Sequence, residues 1–323
     1  MKSLLRLIYW KKIIVTLLVA SLFSCSNNSS KTIRIGILDG PSAVSFIQLI
    51  DKPLVIEGKK IEIVIKSEPL QLQALMMQDK LDFAILPTVM AANLYNKGVK
   101  YRMVACPIWG TLYLLKNEKT HSIYDIKGKT VSVFGQGGTS DILLQRIIQQ
   151  KEIVNAKIDY SYSTNHEIAQ ALLFKKIKLA VVSEPIVSML LARDSSIHIV
   201  AKLDCEEYID NSDKDIFVQT SFLVSERFTI ENSSLVEKVC KAYSNSCNFT
   251  NEQPEEAAKL LVKHNFLPNI DIAKRSIPLC NIRYVGAFAI QQEVNRYLNI
   301  FYKCNPKSIG GKLPDSEFIY QTY

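Results

Sequence analysis

The sequence predicts an α/β protein in which strands and helices alternate in two successive series. Three observations support this prediction. Short apolar segments recur between amphipathic segments along residues 32–224. Gly, Pro, Ser or Thr follows most of the apolar segments, as at the start of a connecting turn or helix. The 323 residues are 48% hydrophobic and 22% charged, which provides enough apolar side chains for one or two sizeable cores.

The first series predicts four strands, over residues 33–38, 61–65, 82–86 and 101–105. Helices are predicted between them, over residues 42–49, 70–77 and 88–95. Ser42 and Thr88 stand at the starts of two of these helices, where each hydroxyl is expected to cap a backbone N–H group. Because helices connect the strands, we expect a mostly parallel sheet with helices on both faces and a ligand at the carboxyl ends of the strands.

The second series begins after Leu115 and predicts strands over residues 130–134, 158–162, 178–182, 197–201 and 217–224. A Gly-rich loop, residues 135–140, precedes a helix that carries Ile142 and Ile147 on its apolar side. Further helices are predicted over residues 165–174 and 185–192. The rest of the chain predicts helices only, over residues 235–247, 254–264 and 285–302.

Residues 1–24 have the pattern of a secretory signal peptide, with four basic residues and no acidic residue ahead of the processing site. The apolar segment, residues 13–23, is too short to span a bilayer, which needs about 20 apolar residues. A permanent membrane span would have to extend across Lys11 and Lys12, so we favour the signal peptide.

The segment Leu22-Phe23-Ser24-Cys25 resembles the bacterial lipobox, in which the cysteine is acylated and becomes the mature N-terminus. Residues 25–31 then predict a lipidated Cys25 followed by a short polar tether. We therefore expect an exported protein that its lipid anchors to the cell membrane, on the periplasmic or extracytoplasmic face.

The net charge of +8 does not indicate a nucleic-acid-binding protein. Half of that excess comes from the signal peptide, and the remaining basic residues are dispersed along the chain. The six cysteines after Cys25 include no CxxC pair, so buried free thiols are favoured over disulfides, which export would permit.

Several segments together resemble the substrate-binding lipoproteins of nitrate/sulfonate/taurine-type ABC importers, which are related to thiamine-precursor-binding proteins. The similar segments are LDFAILP at residues 81–87, DIKGK at 125–129, AQALL at 169–173, LAVVSEP at 179–185 and LPD at 313–315. Each motif is weak alone, but their order and spacing extend over the whole mature chain.

The resemblance implies a type II periplasmic-binding-protein fold, with two lobes, two crossover strands and C-terminal helices. Lobe one is expected to contain residues 32–112 and 218–323, and lobe two residues 113–217. It also implies a protein that captures a small polar or anionic solute between its lobes and delivers it to an ABC permease and its ATPase. Because no feature of the sequence indicates an oligomer, we expect a monomer.

Ligand contacts are expected from loops at the carboxyl ends of strands and from helix N-termini. Backbone N–H groups and hydroxyls in the Gly-rich loop suit an oxyanion, whereas Trp109 suits a stacked ring. Asp39 and Glu184 instead favour an amine or another hydrogen-bond donor, so the charge of the ligand stays open. The candidate ligand-binding residues are Asp39, Gly40, Ser42, Pro87, Thr88, Trp109, Gly137, Gly138, Thr139, Ser140 and Glu184.

Signals for catalysis, a cofactor or a metal site are weak. Gly128-Lys129-Thr130 resembles the end of a P-loop, but it precedes a strand and the first glycine of the motif is missing. The four histidines are scattered, and no His-rich motif with metal-ligand spacing occurs. The alternatives to a transport protein are an enzyme on the same fold, such as a menaquinone-pathway enzyme or a pyrimidine synthase, and a sensory binding module.

Overall fold

The computed structural model describes residues 31–119, 122–204 and 217–321. The predicted signal peptide, Cys25 and most of the tether lie outside the described residues. Within the described ranges, no helix is both long enough and apolar enough to cross a membrane. The described residues from Thr32 onward belong to one compact unit.

Twelve strands in the described residues form two separate sheets. The seven-stranded sheet has the order β12-β5-β11-β4-β1-β3-β2, and the five-stranded sheet has the order β10-β6-β9-β7-β8. The strands are β1 (Thr32–Leu38), β2 (Val55–Ile56), β3 (Lys59–Lys66), β4 (Phe83–Pro87), β5 (Tyr101–Ile108), β6 (Leu112–Lys116), β7 (Thr130–Ser132), β8 (Lys157–Asp159), β9 (Leu179–Ser183), β10 (His198–Lys202), β11 (Thr220–Ser225) and β12 (Ile282–Gly286).

Twelve α-helices in the described residues connect and cover these strands. They are α1 (Pro41–Ser45), α2 (Ile47–Asp51), α3 (Pro69–Met77), α4 (Thr88–Asn96), α5 (Thr139–Gln150), α6 (Asn165–Leu173), α7 (Ile186–Arg193), α8 (Glu226–Glu231), α9 (Ser233–Glu252), α10 (Pro254–Lys263), α11 (Ile270–Leu279) and α12 (Gln291–Cys304).

Most strands of each sheet run in one direction, which confirms the predicted α/β class. In the larger sheet, β1 is parallel to β3 and β4, and β5 runs the same way because β11 is antiparallel to both β4 and β5. In the smaller sheet, β7 is parallel to β8 and β9, while β6 is antiparallel to its neighbours β9 and β10. The carboxyl ends of the parallel strands therefore lie together at one edge of each sheet.

Three hydrophobic clusters hold the two sheets and their helices together. One cluster packs α1, α2 and α9–α11 on one face of the larger sheet, and another packs α6 and α7 on the smaller sheet. The third cluster is shared, because it joins Leu114 and Ile142 of the smaller sheet and its helix to Met103 of the larger sheet. Helix α12 contributes Tyr297 and Phe301, both fully buried, to this shared cluster.

The C-terminal segment after α12 is fastened to α4 by side-chain amides. The Asn93 amide donates hydrogen bonds to the carbonyl oxygens of Lys307 (3.0 Å) and Ser308 (3.1 Å). The Asn96 amide donates to the carbonyl oxygens of Ile309 (2.6 Å) and Lys312 (2.7 Å). We call residues 306–319 the C-terminal strap, because they return to the larger sheet after α12 and end beside β5.

The predicted caps at Ser42 and Thr88 are wrong. Gly40 is the N-cap of α1 and Pro87 is the N-cap of α4, and neither helix has a side-chain cap. Thr88 lies inside the first turn, and its Oγ1 accepts a hydrogen bond from Ser221 Oγ at 3.0 Å. Pro41 fixes the backbone at the first position of α1, and Pro87 occupies the N-cap position that Thr88 was expected to take.

The expectation of a purely helical C-terminal region is also wrong. Residues 282–286 form β12 at the edge of the larger sheet, where Ile282 pairs with Ile108 of β5. Arg283 and Tyr284 interrupt the apolar pattern, and the pairing partner lies far away in sequence, so local periodicity does not reveal this strand. Helix α11 was not predicted either.

The core of the larger sheet provides a test of these packing assignments. Phe222 is fully buried and stacks on Phe83, with ring centroids 5.2 Å apart. We expect Phe222→Ala to lower the free energy of unfolding by about 3–5 kcal/mol, because it leaves a cavity in the core. Urea unfolding measures the change, and Phe288→Ala is the matched control, because Phe288 is 66% exposed. A similar loss in both variants would contradict the assignment.

Candidate functional site

The two sheets meet where the chain crosses from β5 to β6 and again before β11. Thr111, between β5 and β6, forms a hydrogen bond of 2.8 Å with Ser183 at the end of β9. Gln219, just before β11, donates from its Nε2 to Thr111 Oγ1 at 3.1 Å. These three residues, which we call the junction, connect the carboxyl edges of the two sheets.

Two of the predicted site residues are attached to the junction by their backbones. Thr88 N donates to Gln219 O at 3.0 Å, which places the start of α4 against one crossover. Glu184 N donates to Thr111 O at 3.0 Å, which places the end of β9 against the other crossover. The structure therefore brings Thr88 and Glu184 to the same junction, although they are far apart in sequence.

Gly110 allows the close approach of the chain at the first crossover. Its φ of +148° is unfavourable for residues with a side chain. A Cβ at this position would overlap the carboxylate of Asp204, which follows β10. Asp204 Oδ2 in turn accepts a hydrogen bond from Leu112 N at 3.4 Å. Asp204 is not among the residues predicted from the sequence, although it lies shortly after a predicted strand.

Glu184 is a buried carboxyl group beside the junction. Its side chain is 1% exposed, and its two oxygens accept hydrogen bonds from Ser188 Oγ (3.0 Å) and Ser188 N (3.3 Å). Burial raises the pKa of Glu184 from about 4.5 to about 7, and the hydrogen bonds from Ser188 only partly oppose this effect. Burial therefore favours the protonated, neutral form of this carboxyl group.

The Gly-rich loop is folded around a carboxylate of the chain itself. Gly137 N donates to Asp141 Oδ2 at 2.7 Å, and Gly138 N donates to Gly135 O at 2.8 Å. The Ser140 hydroxyl donates to Phe134 O at 2.5 Å. Of the four loop residues predicted to bind a ligand, Gly137, Gly138 and Ser140 thus have donors that already hold partners.

Asp141, in the first turn of α5, was not predicted from the sequence. Its second oxygen, Oδ1, accepts hydrogen bonds from Gln145 Nε2 (2.7 Å) and Tyr160 OH (2.8 Å). Burial and the contact with Asp141 together raise the pKa of Tyr160 to about 12. An acidic residue directly after a Gly-rich loop is the only local signal for this arrangement.

Tyr297 of α12 reaches the start of α5, where its hydroxyl interacts with the hydroxyl of Thr139. Both hydroxyls are buried, and burial raises the pKa of Tyr297. Lys202 Nζ is 3.6 Å from Asp204 Oδ1, and burial still raises the pKa of Asp204 to about 6. Tyr297 was missed because it lies on a helix remote in sequence.

Trp109 is positioned by β12. Its backbone N donates to Asn281 O at 3.2 Å, and its Nε1 donates to Arg283 O at 2.7 Å. The Arg283 guanidinium lies 4.1 Å from the ring centroid of Trp109, which is buried. This cation covers one face of the indole, and the ring also belongs to the shared hydrophobic cluster, so stacking of a ligand on Trp109 stays a prediction.

The remaining predicted residues lie at the carboxyl edge of the larger sheet. Asp39 is exposed, and its backbone N donates to Lys66 O at 2.8 Å. Gly40 has a φ of +131° at the start of α1, and Ser42 is buried inside that helix. Pro87 is half-buried and lies opposite Thr220 in the β4–β11 pair. Of these four residues, Pro87 is adjacent to the junction, through Thr88.

A groove of about 610 Å³ lies at the opposite edge of the larger sheet. It contains the exposed side chains of Met77 and Ile230, and also Arg227. The Arg227 guanidinium is held by three carboxylates, of Asp79 and Asp82 at 2.7 Å each and of Glu231 at 3.2 Å. The Arg227 cation is already paired, and the groove lies away from the carboxyl ends of the parallel strands. We therefore place the candidate site at the junction instead.

The described residues hold no cluster of three or more His, Cys, Asp or Glu side chains suited to a metal ion.

The chain matches a known protein family. The model of the family described as "NMT1/THI5 like" matches residues 54–257. A search of curated proteins found no match.

Solved structures with similar folds cover nearly all of the chain. An ABC transporter from Parabacteroides distasonis has 31% sequence identity and a TM-score of 0.77, over 91% of this chain and 100% of that chain. The periplasmic aliphatic sulphonate binding protein SsuA from Escherichia coli has 18% identity and a TM-score of 0.70, over 91% and 93% of the two chains. The periplasmic nitrate-binding protein NrtA from Synechocystis has 12% identity and a TM-score of 0.63, over 86% and 84%. These similarities confirm the predicted periplasmic-binding-protein fold.

The buried carboxyl group of Glu184 predicts a pH dependence of stability. Because its folded-state pKa is raised to about 7, the folded chain holds this proton more tightly than the unfolded chain. Below about pH 4.5 this proton stabilises the folded state by about 3 kcal/mol relative to high pH. The stabilisation is lost as the pH rises to about 7.

We therefore expect Glu184→Gln to weaken the fall in stability between about pH 5 and pH 7, as measured by urea unfolding across that range. The exposed Glu237→Gln is the control and should follow the wild-type profile. An unchanged slope in Glu184→Gln would contradict the assignment of a buried acid.

Proposed function

Because its residues 54–257 match the family model, the chain belongs to the NMT1/THI5 like family, and we propose that it is the solute-binding component of an ABC import system. The observation that carries this proposal is the junction of Thr111, Ser183 and Gln219, at which two α/β sheets present their carboxyl edges to each other. Small ligands bind at such edges in open α/β sheets. The similarity to an ABC transporter from Parabacteroides distasonis, at 31% identity, agrees with this role.

The junction also supports a division into two lobes. We propose that residues 32–112 and 218–323 form lobe one and that residues 113–217 form lobe two, so that the larger sheet lies in one lobe and the smaller sheet in the other. Only a few residues then connect the lobes, and a hinge motion there would open and close the site. The shared hydrophobic cluster around α12 limits how far the lobes can separate.

The proposed ligand contacts come from both sides of the junction. On the larger sheet they are Asp39, Gly40, Ser42, Pro87, Thr88 and Trp109, and on the smaller sheet they are the Gly-rich loop, residues 137–140, and Glu184. Thr139 has the strongest support among the loop residues, because its hydroxyl faces another hydroxyl, that of Tyr297, and keeps capacity for a further hydrogen bond to a small polar solute.

Export and lipid anchoring complete the proposed role. The signal peptide and Cys25 would place the folded part outside the cytoplasm, next to a membrane permease that works with an ATPase. We propose that the chain acts as a monomer and binds its solute without chemical conversion.

Ligand binding is tested by thermal unfolding of the full chain, purified in detergent, against nitrate, alkanesulfonates, taurine, bicarbonate, aminopyrimidines and short peptides. A compound present at about a thousand times its Kd adds roughly 4 kcal/mol to the stability of the folded state. We expect at least one member of the panel to raise the midpoint by several degrees. Conversion of any compound into a product, or no response to the whole panel, would contradict the proposal.

The anchor is tested by Cys25→Ala, because this change removes the acylated side chain. We expect the variant to move from the membrane fraction to the soluble extracytoplasmic fraction, as followed by immunoblotting after fractionation. Cys304→Ala is the matched control, since Cys304 is an exposed free cysteine of the folded part and should stay with the membrane. Full retention of Cys25→Ala on the membrane would overturn the lipoprotein assignment.

A further inference from the structure

The Gly-rich loop has the form of an anion site, but its anion is part of the chain. A loop followed by a helix N-terminus concentrates backbone N–H groups and a partial positive charge at one place. In this structure Asp141 Oδ2 accepts from Gly137 N at 2.7 Å, and its other oxygen accepts from Gln145 and Tyr160. Asp141 is 1% exposed, so its carboxylate is buried within the turn.

This internal carboxylate changes what the loop can bind. The positive end of α5 is already balanced by a full negative charge, and the Gly137 N–H group has no capacity for a second strong acceptor. An oxyanion arriving at the loop would face the Asp141 carboxylate at short range, in a region where water screens charges poorly. The loop therefore disfavours the ligand charge that its backbone pattern suggests.

Two buried acids at the carboxyl edge of the smaller sheet favour the opposite kind of ligand. Asp204, which follows β10, is 6% exposed, and Lys202 Nζ lies 3.6 Å from its Oδ1. Glu184, which follows β9, is 1% exposed, and its carboxyl oxygens accept from Ser188 Oγ and Ser188 N. Buried carboxyl groups are stabilised by N–H or O–H donors, which a neutral or cationic ligand supplies.

We propose that Asp141 is a specificity-determining residue, whose carboxylate stands where an anionic ligand group would bind, so that the site takes neutral or cationic hydrogen-bond donors and rejects oxyanions. This inference rests on the proposed function, since it concerns the ligand of the same site. According to this inference, a single side chain, that of Asp141, decides which class of solute the site binds.

The test uses three probes with the same skeleton and different charges: propionate, propanamide and propionamidine. Their effects on the thermal midpoint of the full chain in detergent are compared at constant ionic strength. In wild type we expect propionate to be the weakest ligand of the three. In Asp141→Ala, which uncovers the Gly137 N–H group and removes the charge, we expect the apparent affinity for propionate to rise at least tenfold.

Two further variants keep this test decisive. Asp141→Asn preserves the size of the side chain and removes its charge, so it should also gain propionate binding. If Asp141→Ala does not fold, the result for Asp141→Asn tests the proposal in its place. Tyr160→Phe removes one hydrogen bond of Asp141 but keeps its carboxylate, so it should show no gain. The proposal is overturned if propionate binds wild type as well as it binds the charge-free variants, if those variants gain no propionate binding, or if Tyr160→Phe gains it equally.

These outcomes separate the inference from the proposed function. A gain of anion binding in Asp141→Ala reports on the loop alone and does not need the natural solute. Failure of the proposed function would appear as an unresponsive ligand panel in wild type, whatever the Asp141 variants do.

Discussion

The structure depends on one topological constraint: the chain crosses between its two sheets and has to return. The junction satisfies this constraint with few atoms, because Thr111 holds both Ser183 of the smaller sheet and Gln219 of the returning segment. Gly110 lets the first crossing pass against the carboxylate of Asp204, where any side chain would collide. The carboxyl edges of both sheets therefore face a common region, and the starts of α4 and α7 are set around it by backbone hydrogen bonds.

Helix α12 gives this arrangement a second point of contact between the two sheets. Its buried Tyr297 and Phe301 belong to the same hydrophobic cluster as Ile142 of α5, while the strap that follows it is held by Asn93 and Asn96 of α4. The positions of the two sheets are thereby coupled to the packing at the start of α5. The hydroxyls of Tyr297 and Thr139 interact in this same region.

The sequence predicts most of the first series of strands, because segments such as residues 83–87 are apolar throughout and stand between clear helix and turn signals. Strand β12 could not be predicted, since its stability comes from pairing with β5 at a large sequence distance. The Gly-rich loop was found as a candidate site from its composition alone. The contacts of that loop could not be predicted from the sequence. Asp141 contacts Gly137 N only when the turn is folded, and Tyr297 reaches Thr139 only through tertiary packing.

The order of strands in the larger sheet has a consequence for synthesis of the chain. Strand β11, which separates β4 from β5, comes from residues 220–225, and the edge strand β12 comes from residues 282–286. Phe318 of the strap packs against Tyr95, with ring centroids 5.3 Å apart. When β1, β3, β4 and β5 have left the ribosome, the larger sheet still lacks its internal strand β11. The strap has not yet packed against Tyr95 of α4. Such non-local closure is slow and leaves apolar surface exposed in the nascent chain, which favours binding by chaperones until the last residues have been added.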